Sequence, residues 1–146
     1  MIKISNLHKF YGTKDNRAEV LKGIDLELED GKIICVLGPS GSGKSTLLNI
    51  LGGIETIDEG DVSVFDKDLK SMSKKALENY RREYLGFVFQ FYNLISDLNL
   101  LENVQVGEYL SKEPLDIDEL LKDLGLDEHK YKYPNEISGG QAQRAS

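Results

Sequence analysis

One short stretch limits what this chain can become more than any other. Gly38 to Ser45 reads GPSGSGKS, a glycine-rich loop that meets every fixed position of G-x-x-x-x-G-K-[ST]. The flanks give it meaning. Lys32 to Leu37 (KIICVL) is an apolar run with β-branched residues, the pattern of a buried strand. Leu47, Leu48, Ile50 and Leu51 follow with helical spacing, up to a stop at Gly52-Gly53. Gly38, Gly41 and Gly43 let the backbone curl so that successive N–H groups converge, a nest for phosphate oxygens. The helix N-terminus adds unpaired donors and a favourable dipole. Lys44 supplies a mobile positive charge for β- and γ-phosphates, Ser45 a hydroxyl suited to Mg²⁺, and Thr46 a reach to another phosphate oxygen. With Pro39, Ser40 and Ser42 they complete the candidate phosphate grip, Gly38 to Thr46.

The rest of the chain reads as a frame for that loop. Ile2, Ile4 and Leu7 suggest a first strand, and Tyr11 to Asn16 a polar turn. Ile24, Leu26 and Leu28 alternate with acidic residues, a half-buried strand, so antiparallel pairing is expected before a parallel core begins. A short strand is predicted over Val62 to Phe65, a helix over Ser73 to Tyr84, and a buried strand over Leu85 to Phe89 that delivers Gln90 at its end. Helices follow. Asn99 and Glu102 have capping-box spacing before a helix at Leu100 to Leu110. Ile117, Leu120, Leu121 and Leu124 mark another helical face, with Asp116, Asp118 and Glu119 in its first turn. The boundary is placed at residue 90, giving a core over 1–90 and a helical part over 91–146.

Composition narrows the class. With 146 residues, 40% hydrophobic and 29% charged, the chain fits an ordinary globular domain. A net charge of −7 argues against a general nucleic-acid surface. Cys35, the only cysteine, is expected to be a small buried residue, and its being alone fits a reducing compartment. Met1 leads straight into a strand pattern rather than a signal peptide, and no apolar run reaches the ~20 residues of a membrane span. Any membrane link is therefore expected to run through a partner. His8 and His129 lack neighbours at metal-ligand spacing and read as surface or structural residues.

A second glycine pair sharpens the reading. Ile137 to Gln141 is ISGGQ, a serine and two glycines opening a helix. Alone it is weak. After the phosphate loop, the strand ending in Gln90 and the helical segment, the chain resembles the nucleotide-binding subunit of an ATP-binding cassette (ABC) transporter. The loop resembles Walker A, and ISGGQ resembles the LSGGQ signature with Ile for Leu. Gln90 falls at the Q-loop and Tyr11 at the adenine-stacking aromatic. Leu85 to Val104 (LGFVFQFYNLISDLNLLENV) is similar to the branch serving lipoprotein release, macrolide export and antimicrobial-peptide resistance.

The resemblance implies an α/β fold: a P-loop NTPase core with an antiparallel β part and a helical subdomain, stopping before the Walker B strand. It implies ATP and Mg²⁺ as ligands. Tyr11 would stack on the base, Gln90 would position Mg²⁺ and the attacking water, and Ser45 would ligate Mg²⁺. Ser138, Gly139, Gly140 and Gln141 would meet the nucleotide held by a second subunit, head to tail. A membrane permease is the implied partner, nucleic acid is not, and the implied location is the cytoplasmic face of the cell membrane. Without Walker B and the catalytic glutamate, no residue here carries over as the base, an apolar sheet edge is expected to stand open, and the last helix is expected to be about one turn. The chain then reads as an N-terminal portion, inactive alone. Phe91, Tyr92, Leu94 and Ile95 read equally as core or as a permease contact. Two other readings stay open: a non-catalytic phosphate-binding module, and a soluble ABC ATPase of DNA repair or translation. A P-loop kinase or GTPase leaves Gln90 and ISGGQ unexplained.

Overall fold

The computed structural model describes residues 1–13 and 15–146; Lys14, in the predicted polar turn, lies outside them. The chain divides into two compact units, Met1–Leu85 and Gly86–Ser146.

The first unit is built on a long hairpin. Strand β1 (Ile2–Thr13) pairs antiparallel with β2 (Asn16–Leu28), from Ile2↔Leu28 to Thr13↔Asn16. Both strands run further into the predicted turn than the sequence suggested. Strands β3 (Glu59–Val64) and β4 (Lys67–Asp68) complete an antiparallel sheet of order β2-β1-β3-β4. Ile4 and Leu7 are both buried although an odd spacing should put them on opposite faces. A register irregularity between them, with Asn6 at φ 47°, restores both to the core side.

Helix α1 (Lys44–Leu51) and helix α2 (Lys74–Tyr84) belong to the same unit. Leu47, Ile50 and Tyr80 join Ile4, Leu7, Leu21, Val62, Val64 and Leu69 in its core. Helix carbonyls at a C-terminus need outside donors. Tyr80 supplies one, its hydroxyl donating to Leu51 O at 2.7 Å, and Arg81 Nη1 donates to Gly53 O at 2.7 Å. Burial pushes the Tyr80 phenol up to about 12, so it stays a donor.

Two expectations fail here. Lys32–Leu37 and Leu85–Phe89 form no strand pairing among the described residues. Ile33 is 100% exposed and Leu37 90%, and Cys35 is exposed rather than buried. The physical reason is plain: an apolar run is buried only where neighbours cover it, and here none of the described strands does.

The second unit is helical: α3 (Leu100–Leu110), α4 (Ile117–Asp123) and α5 (Gly139–Ala145), with single turns at Asp127–His129 and Pro134–Glu136. Leu100, Leu121 and Leu126 form its core. The expected capping box is present: Asn99 accepts from Glu102 N, and Glu102 accepts from Asn99 N at 2.8 Å. The next two α3 donors reach across the unit, Leu100 N to Lys132 O and Leu101 N to Lys130 O. Helix α5 runs nearly two turns, longer than expected, because its first turn is capped and Ala142 is buried.

Candidate functional site

The phosphate loop leads into α1 through Gly43, the N-cap, at φ 88°. A Cβ there would stand 2.8 Å from Leu21 Cδ2 and 3.2 Å from the Val20 carbonyl, so close packing on β2 as well as backbone angle demands glycine. Val20 sits where the β1–β2 register shifts, between the Lys9↔Leu21 and Phe10↔Glu19 pairs. The irregularity thus lies where the loop meets the sheet. No side chain caps α1, so its first-turn N–H groups remain open donors. Lys44 curls back over its own loop, donating to Gly38 O at 2.9 Å and Pro39 O at 2.8 Å. Ser42 N donates to Pro39 O at 3.3 Å. Ser45 is exposed on the first turn and Thr46 half-buried. Mobile cation, open amides and hydroxyl are therefore gathered on one loop, a donor set chemically fitted to a polyphosphate and its divalent ion.

Tyr11 lies in β1 rather than in a turn, opposite Ala18, and is 39% exposed. Its hydroxyl donates to Glu55 Oε2 at 3.1 Å. Beside it stands a group the sequence reading missed. Lys9, 4% exposed, donates to Thr56 O and Thr56 Oγ1, both at 2.9 Å, and pairs with Glu55 Oε1 at 3.0 Å and Asp58 Oδ1 at 3.4 Å. Partial burial opposes ionisation of Glu55, but hydrogen bonds from Lys9, the Thr56 amide and Tyr11 outweigh it and hold the carboxyl below its ordinary value. A lysine in a strand reads as solvated; only the acceptors that follow α1, far along the chain, show otherwise. His8 Nδ1 lies 2.6 Å from Glu19 Oε1.

In the second unit Gln90 is exposed, in a turn. Tyr92 and Asn93 just after it hold φ 60° and 53°, unusual for residues with side chains. Asn103 then organises the approach to α3. Its Oδ1 accepts from Ile95 N at 2.7 Å, and its Nδ2 faces the carbonyls of Ile95, Leu98 and Asn99 at 2.9 to 3.1 Å. Phe91 is 81% exposed and Ile95 47%, so neither is core. Ile95 lines a groove of about 630 Å³ with Phe89, Tyr92, Val104 and Leu120.

The signature segment shows why serine and glutamine stand three apart. Ser138 Oγ accepts from Gln141 N at 3.3 Å, and Gln141 Oε1 accepts from Ser138 N at 2.8 Å. That is a complete capping box. Gly139 lies under Tyr92, whose hydroxyl would stand 3.3 Å from a Cβ there. Among the described residues no helix is long and apolar enough to cross a membrane.

Comparison with known proteins bears on what these two loops are. The family model described as ABC transporter matches residues 21–146, nearly the whole chain. The chain belongs to the ABC transporter family. It is 44% identical to the bacitracin export ATP-binding protein BceA of Halalkalibacterium halodurans, matching 100% of this chain and 60% of that protein. It is 40% identical to the lipoprotein-releasing system ATP-binding protein LolD of Cytophaga hutchinsonii, over 100% of this chain and 67% of LolD. Both fall in the expected branch of ABC proteins. Among solved structures, the dimeric ATP-binding cassette MJ0796 in a post-hydrolysis state bound to ADP and Pi matches with TM-score 0.88 and 34% identity, covering 99% of this chain and 66% of that one. The ABC cassette fold expected from the sequence is thereby borne out. The chain spans about 60% of the length of the curated BceA relative.

Proposed function

We propose that this chain is the nucleotide-gripping portion of an ABC transporter ATPase that drives transport through a separate permease. The observation that carries the reading is the uncapped N-terminus of α1 with Lys44 folded over the same loop. Open amides at a helix start attract an anion, and a lysine held by two loop carbonyls and, at 3.5 Å, the Ser42 hydroxyl can exchange them for phosphate oxygens. In this reading Gly38 to Thr46 hold the β- and γ-phosphates of ATP, Tyr11 stacks on the base, and Ser45 and Gln90 hold Mg²⁺. The ion neutralises charge on the phosphate oxygens when bound. Ser138 to Gln141 serve the nucleotide of a second subunit arranged head to tail. The exposed Phe91, and Ile95 in an apolar groove, offer the permease a surface. No residue from Met1 to Ser146 is assigned as the hydrolytic base, so binding rather than turnover is expected of these residues by themselves.

A phosphate ladder tests this. Calorimetric titration of the 146-residue chain with Mg²⁺ present should give affinity in the order ATP, then ADP, then AMP, with AMP weakest by at least about 100-fold, since two or more charge-assisted contacts are lost. Equal affinity for AMP and ATP would place the grip on the nucleoside and overturn the assignment of the loop.

A further inference from the structure

The carboxylate of Glu55 is shared unequally. Oε1 is engaged with the frame: it pairs with Lys9 Nζ at 3.0 Å and accepts from Thr56 N at 3.0 Å. Oε2 takes the Tyr11 hydroxyl at 3.1 Å. Lys9 in turn is fixed by both Thr56 oxygens, and Asp58, its other partner, accepts Phe10 N at 2.8 Å through Oδ2. A tyrosine hydroxyl at an exposed strand position ordinarily bonds to water and leaves its ring free to change rotamer. Here it is tied to a group whose other oxygen is already anchored. Lys9 Nζ also lies 5.4 Å from the Tyr11 ring centroid, near enough for its charge to be felt by one face of the ring. The ring nonetheless keeps the exposure a stacking partner needs. The segment that supplies Glu55 follows directly on α1, whose other end forms the phosphate loop.

We propose that Glu55 is a positioning residue for base recognition: anchored by Lys9, it fixes the orientation of the Tyr11 ring relative to the helix that grips the phosphates. This rests on the reading of Tyr11 as the base platform. A preorganised aromatic loses less freedom on binding than a mobile one, so Glu55 strengthens ATP binding without touching ATP. The effect should be specific to ligands that carry a base.

The test compares ATP with inorganic tripolyphosphate on the 146-residue chain, using Tyr11→Ala, Tyr11→Phe, Glu55→Leu, Glu55→Gln and the Tyr11→Phe/Glu55→Leu double variant. The readout is the ratio of the two affinities. Glu55→Leu and Tyr11→Phe should each lower the ratio about 3- to 10-fold, the range of one lost hydrogen bond. The double variant should fall no further, since both changes break one contact. Glu55→Gln keeps the contact with its direction reversed, the amide oxygen staying on Lys9 and Thr56 N while the amide NH2 donates to the Tyr11 hydroxyl oxygen, and should restore most of the ratio. Three results overturn the proposal: a Glu55→Leu variant that weakens both ligands equally, which makes Glu55 merely structural; additive losses in the double variant; or no rescue by glutamine. If Tyr11→Ala itself leaves the ratio unchanged, the base-platform reading fails first. That outcome is distinct from a Tyr11→Ala loss with Glu55 inert, which overturns positioning alone.

Discussion

Two glycine-bearing loops open helices in this chain, and they treat the helix N-terminus in opposite ways. At α1 the N-cap is Gly43, left-handed and without a side-chain acceptor, so the first-turn donors stay open. At α5 the N-cap is Ser138, and a reciprocal box with Gln141 closes two donors inside the chain. A terminus with no side-chain cap keeps its first-turn donors for an anion, whereas the boxed one gives up two donors to the chain and keeps only the Gly139 and Gly140 N–H groups outward. Their glycines differ too. Gly43 is demanded by positive φ and by contact with β2, while Gly140 has only Arg144 Nη1, 3.9 Å away, near a Cβ. Two sequences that look alike as glycine-rich helix starts thus carry different physical instructions.

The largest expected effect breaks the open loop. Lys44→Ala should weaken tripolyphosphate binding roughly 100-fold, about 2–3 kcal/mol, by removing the charge from the grip. Ser138→Ala in the same calorimetric assay should change it less than about twofold, within ±0.5 kcal/mol. Comparable losses would end the distinction between the two loops. Next, Gly43→Ala should destabilise the first unit by about 1–3 kcal/mol in urea unfolding, through strain at φ 88° and overpacking on Leu21. Smaller again, Ser138→Ala should cost the second unit about 1 kcal/mol as a lost cap. Smallest, and of opposite sign, Gly140→Ala should stabilise that unit by about 0.5–1 kcal/mol, as a helical glycine replaced without a clash.

Two shifted groups of the first unit set its response to pH. The Glu55 pKa is lowered in the fold, so its contribution is present above the ordinary value of 4.5 and is lost as pH falls through the depressed one. Tyr80 is raised from 10.0 to about 12, so its contribution is full below pH 10 and fades as pH climbs toward 12. Melting of the first unit followed by near-ultraviolet circular dichroism should therefore weaken at both ends of the pH scale. Tyr80→Phe should remove much of the alkaline limb; an unchanged limb would show that the phenol does not set it.

What could be read from the chain followed its local signals. The glycine loop leading into α1, the end of α1 near Gly52, and the capped helix at Leu100 are written in adjacent residues, where spacing suffices. Long-range features were not legible in that way. Lys9 looks like a solvated strand residue until Thr56 and Asp58 close on it. Ser138 and Gln141 do have capping-box spacing, a local signal that the sequence reading did not use. The strand patterns at Lys32–Leu37 and Leu85–Phe89 mark residues suited to burial. Whether they are buried depends on other segments: Leu85 packs against the first core, while Ile33, Leu37 and Val88 stay exposed. Of the turn expected at Tyr11 to Asn16, Lys14 lies outside the described residues.

The exposed run before the phosphate loop has a practical side. Its thiol is the only one in the chain, and it stands open to solvent. Any strand that aligned beside Ile33 to Leu37 would shield it. The rate at which a small alkylating reagent consumes Cys35 is therefore a built-in clock for that event, and it needs no engineered label. Slow modification in a longer chain or a mixed assembly, beside fast modification here, would time the closing of the sheet on the loop it supports.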